Sequence, residues 1–118
     1  MSNVVNIDTR GRALVAVLHG ELDHLQAERM RVQIDSAFEK SPCKYIVFDM
    51  SNINFMDSSG IGMIIGRYKN AEKRGGQVAL ANMNDNIARL FEISGLAKII
   101  LRTTTVEDAV HTLTGGKI

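Results

Sequence analysis

The chain has 118 residues, 45% of them hydrophobic and 23% charged, which fits one domain spanning residues 1–118. Its 14 lysines and arginines are nearly balanced by 13 aspartates and glutamates, so the positive excess expected of a protein that binds nucleic acid directly is missing. Cys43 is the only cysteine, which excludes an internal disulfide and a multi-cysteine metal site and suits the reducing cytoplasm, where we expect the protein to reside.

Residues 1–3 lack the basic stretch and apolar core of a secretory signal, and no segment approaches the roughly 20 apolar residues of a membrane span.

The N-terminal region predicts a β-hairpin. Val5 and Ile7 alternate with polar neighbours, Gly11 marks a turn, and residues 13–18 are mostly apolar. The pattern indicates two antiparallel strands at one edge of a sheet.

A helix is predicted over residues 24–40. Asp23 precedes it as a candidate N-cap, and Gln26 follows three residues later, as in a capping box. Apolar residues then recur at helical spacing, namely Ala27, Met30, Ile34, Ala37 and Phe38. The only proline, Pro42, lies in a polar stretch that connects this helix to the next element.

A parallel strand–helix–strand crossover is predicted next. Residues 45–50 form a short apolar run typical of a strand buried on both faces, and residues 77–81 form a second strand after two glycines. The intervening residues 59–74 predict a helix whose inward face carries Ile61, Ile64, Ile65, Tyr68 and Ala71. Crossovers of this kind are nearly always right-handed.

The last third of the chain predicts two more helices and a strand. Asp85 is expected to cap a helix that ends at Gly95, residues 99–101 to form a short strand, and Thr105 to begin a final helix. The sequence therefore predicts an α/β fold with a mixed, mostly parallel sheet of four to five strands, an N-terminal hairpin and about four helices.

The outward face of the helix over residues 59–74 carries glycines. At about 100° per residue this face receives Ser59, Gly62, Gly66, Lys69 and Lys73, with Met63 near it. Each mid-helix glycine costs about 1 kcal/mol relative to alanine. Two explanations stand: a partner approaches the backbone closely, or the glycines pack on a neighbouring loop or are neutral. A dinucleotide loop matches the glycine spacing poorly, and no P-loop lysine follows.

Ser58 lies where a strand is followed by a helix. The segment MDSSG at residues 56–60 places two hydroxyls beside the Asp57 carboxylate, and the positive end of a helix accepts a phosphate. Asp23 and Asp57 are both predicted to cap helices after strands. Because such junctions gather at one rim of an open α/β sheet, Asp23, His24, Asp57 and Ser58 are expected to share one surface.

A hydrolase triad of Ser58, Asp57 and one histidine is a competing hypothesis. The segment lacks the glycine two positions before the nucleophile that makes a nucleophile elbow, so we expect no enzyme activity. His19 lies in an apolar strand pattern and is expected to be packed or hydrogen-bonded, and His111 to be solvated. No metal site emerges from the sequence.

Four segments carry a family resemblance: GELDH at residues 20–24, FMDSSGIG at 55–62, GRYK at 66–69 and RLFEISGL at 89–96. They resemble the anti-anti-sigma factors of the STAS family, and the resemblance extends over nearly the whole chain. It implies that the unmodified protein binds an anti-sigma factor that is also a serine kinase, displacing the sigma factor. Phosphorylation of Ser58 by that kinase ends the binding, and a serine phosphatase reverses it. ATP then belongs to the partner, and this chain needs no cofactor.

The expected site surrounds Ser58. Asp57 and Ser59 are expected to shape its presentation, Ser59 also by satisfying an N–H at the helix start, and Asp23 to contribute to docking. The remaining expected partner-binding residues are Glu21, His24, Gly60, Ile61, Gly62, Met63, Gly66 and, as a weaker candidate, Arg67. We expect a monomer when free. A nucleotide-binding STAS module and an antagonist of the general stress pathway are the alternatives.

Overall fold

The computed structural model describes residues 4–116, so the N-terminal segment inspected for a secretory signal lies outside the described residues. Five strands form one sheet in the order β1-β2-β3-β4-β5. They are β1 Val5–Arg10, β2 Ala13–Leu22, β3 Tyr45–Met56, β4 Val78–Ala81 and β5 Leu101–Thr103. The β1–β2 pair is antiparallel and the other pairs are parallel, which confirms the predicted hairpin and mixed sheet.

The helices cover both faces of this sheet. They are α1 His24–Glu39, α2 Ser58–Lys73, α3 Asp85–Ile93 and α4 Val106–Thr114, with a 3₁₀ turn at Leu96–Lys98. Side chains alternate along each strand, so Ile46 and Phe48 join the core beneath α1, α2 and α3, whereas Val47 joins the core beneath α4. The predicted α/β fold is confirmed.

Short polar side chains set the helix starts. The Asp23 carboxylate accepts a hydrogen bond from the Gln26 N–H at 3.0 Å, and Thr105 Oγ1 accepts one from the Asp108 N–H at 3.0 Å. The prediction that Asp85 caps α3 is wrong by one residue, since Asn84 Oδ1 accepts from the Ile87 N–H at 2.9 Å.

The strand predicted over residues 99–101 starts later than expected. The N–H groups of Ile99 and Ile100 donate to the Leu96 carbonyl, at 3.0 and 2.9 Å, and close the 3₁₀ turn. Because these donors are already used, pairing with β4 begins only at Leu101. The apolar pattern alone did not reveal this local competition.

Helix α2 buries a set of residues that differs from the one predicted. Gly60, Met63 and Arg67 are buried together with the expected Ile64 and Ala71. The expected Ile61, Ile65 and Tyr68 are only half-buried. Periodicity identified the face toward the sheet, but α1 packs beside α2 and covers a second face. The placement of Met63 near the outward face is therefore wrong.

Gly60 is buried because the chain passes closely beneath it. A Cβ atom there would lie 2.3 Å from Leu22 Cδ2, 2.7 Å from Met56 Cγ and 3.0 Å from the Leu22 carbonyl oxygen. The first turn of α2 therefore rests directly on the ends of β2 and β3. The space beside Gly60 is filled by the protein's own core, so its packing alone requires a glycine at this position.

Substitution of two glycines in the same helix tests this close approach. Gly60→Ala is expected to lower the free energy of unfolding by about 1–3 kcal/mol, because the added methyl group overlaps Leu22 and Met56. Gly62→Ala is the matched control: nothing lies within 4 Å of its Cβ position, so it is expected to raise stability by up to about 1 kcal/mol. Urea unfolding measures both, and equal effects would contradict the packing.

Candidate functional site

Ser58 is exposed at the first position of α2. Just before it, the Asp57 carboxylate accepts a hydrogen bond from the Ser59 N–H at 2.8 Å, and the Asp57 carbonyl accepts from the N–H groups of Gly60 and Ile61 at 3.1 and 3.2 Å. The Asp57 carboxylate thus satisfies the Ser59 N–H at the helix start. The Ser58 hydroxyl is therefore exposed on a helix start whose geometry is fixed by hydrogen bonds to Asp57.

A second helix start lies beside the first. Leu22 and Met56 are paired in the parallel register of β2 and β3, and the Asp57 N–H donates to the Leu22 carbonyl at 3.4 Å. Asp23 and Asp57 each follow one member of that pair and cap α1 and α2. The structure thus brings the two predicted junctions to one rim.

The other predicted residues of the rim differ in exposure. Glu21 and His24 are exposed, whereas Asp23, Asp57, Ser59 and Ile61 are half-buried. Ile61 also packs against the edge of the core. This surface combines exposed charged groups with half-buried polar and apolar groups. Another protein can contact these groups while the domain stays folded.

A groove runs from this rim along the seam between α1 and α2. Its walls are formed by His24, Ala27, Glu28, Arg31, Ser59, Gly62, Met63 and Arg67. Of the residues that α1 contributes, His24 was predicted as part of the site, whereas Ala27, Glu28 and Arg31 were not. The sequence signal that could have revealed them is a charge on the inward side of each helix, Asp35 beside Ile34 and Arg67 between Ile64 and Ala71.

The outward glycines of α2 border open space. Gly62 is exposed and Gly66 half-buried, and a Cβ atom at either position would have no neighbour within 4 Å. The alternative in which these glycines pack against a neighbouring loop is therefore wrong. Their absent side chains leave the helix backbone accessible from outside.

Arg67 is the most unusual charged group near the groove. Arg67 is only 7% exposed, and its Nε lies 2.8 Å from Asp35 Oδ1 in an ion pair. Within residues 4–116, Nη1 of Arg67 has no hydrogen-bond acceptor. Burial holds the pKa of Arg67 below its ordinary value, while the Asp35 carboxylate acts in the opposite direction.

Asp35 links the two helices. It accepts hydrogen bonds from Asn70 Nδ2 at 3.2 Å and from Arg31 Nη1 at 3.4 Å, and Arg31 also pairs with Glu28. Two carboxylates and two guanidinium groups therefore balance one another along the seam. The groove has no strong net charge of either sign.

The three histidines form no hydrogen bond with Ser58 or Asp57 among the described residues. His19 lies on β2 and bonds to Asn6 and Asn52, as expected for a packed strand residue, and His111 is exposed on α4. Over residues 4–116, no cluster of three metal-ligating His, Cys, Asp or Glu side chains is found. None of the helices described there combines the length and apolar character needed to cross a bilayer.

A cluster of polar groups lies where β4 ends beside the middle of β3. Asp49 is partly buried, which by itself raises its pKa, but hydrogen bonds from Asn82 Nδ2 and the Ser51 N–H hold that pKa below its usual value. Asn82 is the one non-glycine residue in the described chain with positive φ, at 61°. These bonds fix the chain where it leaves β4.

Comparisons with known proteins agree with this architecture. The model of the STAS domain family matches residues 4–112. The anti-sigma F factor antagonist of Paenibacillus polymyxa is 39% identical over 100 residues, which are 85% of this chain and 86% of that protein.

Two solved structures are similar over nearly the full chain. The anti-sigma factor antagonist SpoIIAA in its unphosphorylated form has a TM-score of 0.81 at 30% identity, with 94% of this chain and 96% of that one covered. The Bacillus cell fate determinant SpoIIAA in the phosphorylated form has a TM-score of 0.70 at 30% identity, with 92% and 97% covered. The resemblance carried by the four sequence segments is confirmed, and the chain belongs to the STAS domain family.

Proposed function

We propose that this protein is an anti-sigma factor antagonist that binds its anti-sigma factor when Ser58 is free and releases it when Ser58 is phosphorylated. The observation that carries the proposal is the exposed Ser58 hydroxyl on the capped start of α2, beside a second capped helix start and an open groove. Relatives named as anti-sigma F factor antagonists support the role, and SpoIIAA is known in unphosphorylated and phosphorylated forms.

The proposed partner is both a ligand and a modifying enzyme. The anti-sigma factor carries the serine kinase activity and the ATP, and a serine phosphatase restores the free hydroxyl. The chain itself acts as a substrate and binding protein, without a cofactor, in the cytoplasm and as a monomer when free. The similarity to an anti-sigma F factor antagonist favours sporulation over the general stress pathway.

Charge explains how one phosphate controls binding while the fold persists. A phosphate on Ser58 brings nearly two negative charges to the positive end of α2, which favours the helix by about 0.3–1 kcal/mol. Against a partner carboxylate about 5 Å away, each unit charge is repelled by about 3 kcal/mol at an effective dielectric constant of 20. Since reversal of a 99:1 population needs about 5.5 kcal/mol, repulsion and steric exclusion together are sufficient.

Burial divides the proposed contact residues into two groups. Ser58, Glu21, His24 and the Gly62 backbone are exposed enough for direct contact, with Asp23, Asp57, Ser59, Ile61 and Gly66 at the edge of the contact area. Gly60 instead positions the helix start, and Met63 and Arg67 form the buried wall of the groove. Docking on the exposed group leaves the core unchanged.

Phosphorylation is tested by intact mass. Incubation with ATP and the candidate anti-sigma kinase is expected to add one phosphate to the chain, because Ser58 is the exposed hydroxyl at the rim. Peptide mapping is expected to locate it at Ser58, and Ser58→Ala is expected to remain unmodified. Phosphate on Ser59 in the unchanged protein, or full modification of the Ser58→Ala variant, would contradict the assignment.

Ser58→Asp is expected to weaken binding of the anti-sigma factor while the far-ultraviolet circular dichroism stays native. The new carboxylate repels the partner as a phosphate would, but it carries less charge, so its effect is expected to be smaller than that of phosphorylation. A loss of at least tenfold in affinity is expected, which is about 1.4 kcal/mol. Calorimetric titration measures it, with Ser58→Asn as the uncharged control of similar size. Parental affinity in Ser58→Asp would show that charge at this position does not control docking.

Gly62→Leu tests close approach to the backbone of α2. The new side chain enters open space, so stability is expected to change little, but the partner loses contact with the helix and affinity is expected to fall by about tenfold or more. Lys73→Leu, an exposed change in the last turn of the same helix, is the control for added hydrophobicity. If both variants bind equally well, the exposed glycine has no role in docking.

A further inference from the structure

Two large apolar side chains are exposed next to the rim that carries Ser58. Phe55 is 46% exposed near the end of β3, and Leu25 is 58% exposed in the first turn of α1. Over residues 4–116, three other large apolar side chains are exposed, those of Val32, Ile93 and Ile99. Single exposed apolar residues are ordinary on a protein surface. The positions of Phe55 and Leu25, one beside each capped helix start, set them apart.

A register shift turns Phe55 away from the core. Gly20 of β2 pairs with Ile53 of β3. The next residue of β2, Glu21, pairs with Phe55, so β3 contains one residue more than β2 between these pairs. Strict alternation from the buried Ile53 would place Phe55 on the core side of the sheet, but Met56 lies there instead. Irregularities of this kind redirect side chains and are frequent next to functional sites.

Phe55 and Leu25 are close enough to Ser58 to lie within one protein–protein contact. Leu22 and Met56 are paired, so their Cα atoms lie about 5 Å apart. Phe55 adjoins Met56, and Leu25 follows Leu22 by three residues. Since each residue spans at most about 3.8 Å, the Cα atoms of Phe55 and Leu25 are no more than about 20 Å apart. A standard interface of about 800 Å² per partner is roughly 30 Å across.

Both apolar residues are also continuous with the proposed contact surface. The exposed Glu21 is the strand partner of Phe55, and the exposed His24 precedes Leu25 directly. A protein that covers Ser58, Glu21 and His24 therefore meets Phe55 and Leu25 as well. Aromatic side chains at the centre of an interface often carry much of its binding energy, whereas exposed charges contribute little.

We propose that Phe55 and Leu25 are apolar anchors of the docking surface and that each fills an apolar depression on the anti-sigma factor. This inference rests on the proposed function and adds the residues that supply affinity to the one that controls it. Phe55 and Leu25 hold the partner, and a phosphate on Ser58 prevents its approach.

Calorimetric titration with the candidate anti-sigma factor tests the anchors. Phe55→Thr removes the ring but keeps a residue suited to a strand, and its affinity is expected to fall by about tenfold or more. Leu25→Ala keeps a good helix former, and its affinity is expected to fall by about fivefold or more. Phe55→Tyr keeps the ring and is expected to bind as the parent does.

Ile93→Ala is the matched control for loss of an exposed apolar side chain. Ile93 is 76% exposed at the last residue of α3. Because β5 runs parallel to β4, α3 returns the chain to the opposite edge of the sheet, away from Ser58. The affinity of Ile93→Ala is expected to match that of the parent. Parental affinity in Phe55→Thr, or an equal loss in Ile93→Ala, would overturn the inference.

A tryptophan at position 55 reports whether the partner covers this position. The chain contains no tryptophan, so the emission of Phe55→Trp, after subtraction of the parental complex, comes from that position alone. Its maximum is expected to shift to shorter wavelength when the anti-sigma factor binds, whereas that of Ile93→Trp is expected to stay in place. An unshifted maximum for Phe55→Trp in the complex contradicts the proposed contact. A shift in the free chain with rising concentration would show a second copy there and contradict it too.

The outcomes separate the anchors from the proposed function. If the unmodified parent does not bind the anti-sigma factor, or if phosphorylation of Ser58 leaves the affinity unchanged, the proposed function itself fails. If the parent binds and loses affinity on phosphorylation while Phe55→Thr binds as tightly as the parent, only the apolar anchors are disproved.

Discussion

The parallel register between β2 and β3 is the constraint on which the site depends. Leu22 pairs with Met56, so both strands end at the same level and the chain turns into a helix at both places. Asp23 and Asp57 then cap α1 and α2 from neighbouring positions. Because side chains alternate along a strand, a slip of one residue would move Leu22 and Met56 out of the core. The position of Ser58 is therefore fixed by the packing of the hydrophobic core, and Ser58 does not lie on a free loop.

Gly60 links the ends of β2 and β3 to the position of the first turn of α2. With no Cβ, it lets the first turn of α2 lie against Leu22 and Met56, which a larger residue would push outward. Gly62, two positions on, faces open space and has no such role in packing. Two glycines that look alike in the sequence thus serve different purposes. One fixes the depth at which α2 begins, and the other leaves its outer backbone accessible.

Much of this arrangement could be predicted from the sequence because its determinants are local. The hairpin, the caps at Asp23 and Thr105, and the crossover follow from neighbouring residues and from periodicity. The cap of α3 and the start of β5 were misplaced by one or two residues, where adjacent polar groups or a 3₁₀ turn compete. Met63 and Arg67 are buried because α1 packs against α2, and the apolar periodicity of the α2 sequence does not indicate that contact. Contacts between helices are not encoded within a single helix, so the groove emerged only from the structure.

The cap at Asp57 also bears on how a phosphate on Ser58 would act. The Asp57 carboxylate already accepts from the Ser59 N–H, and the next N–H groups donate to the Asp57 carbonyl. A phosphate at Ser58 would therefore find few free donors in the helix and would lie beside a carboxylate. Both features direct it toward solvent, where it meets an approaching partner instead of reorganising the helix start. A site whose internal hydrogen bonds are already satisfied is suited to change its binding without changing its fold.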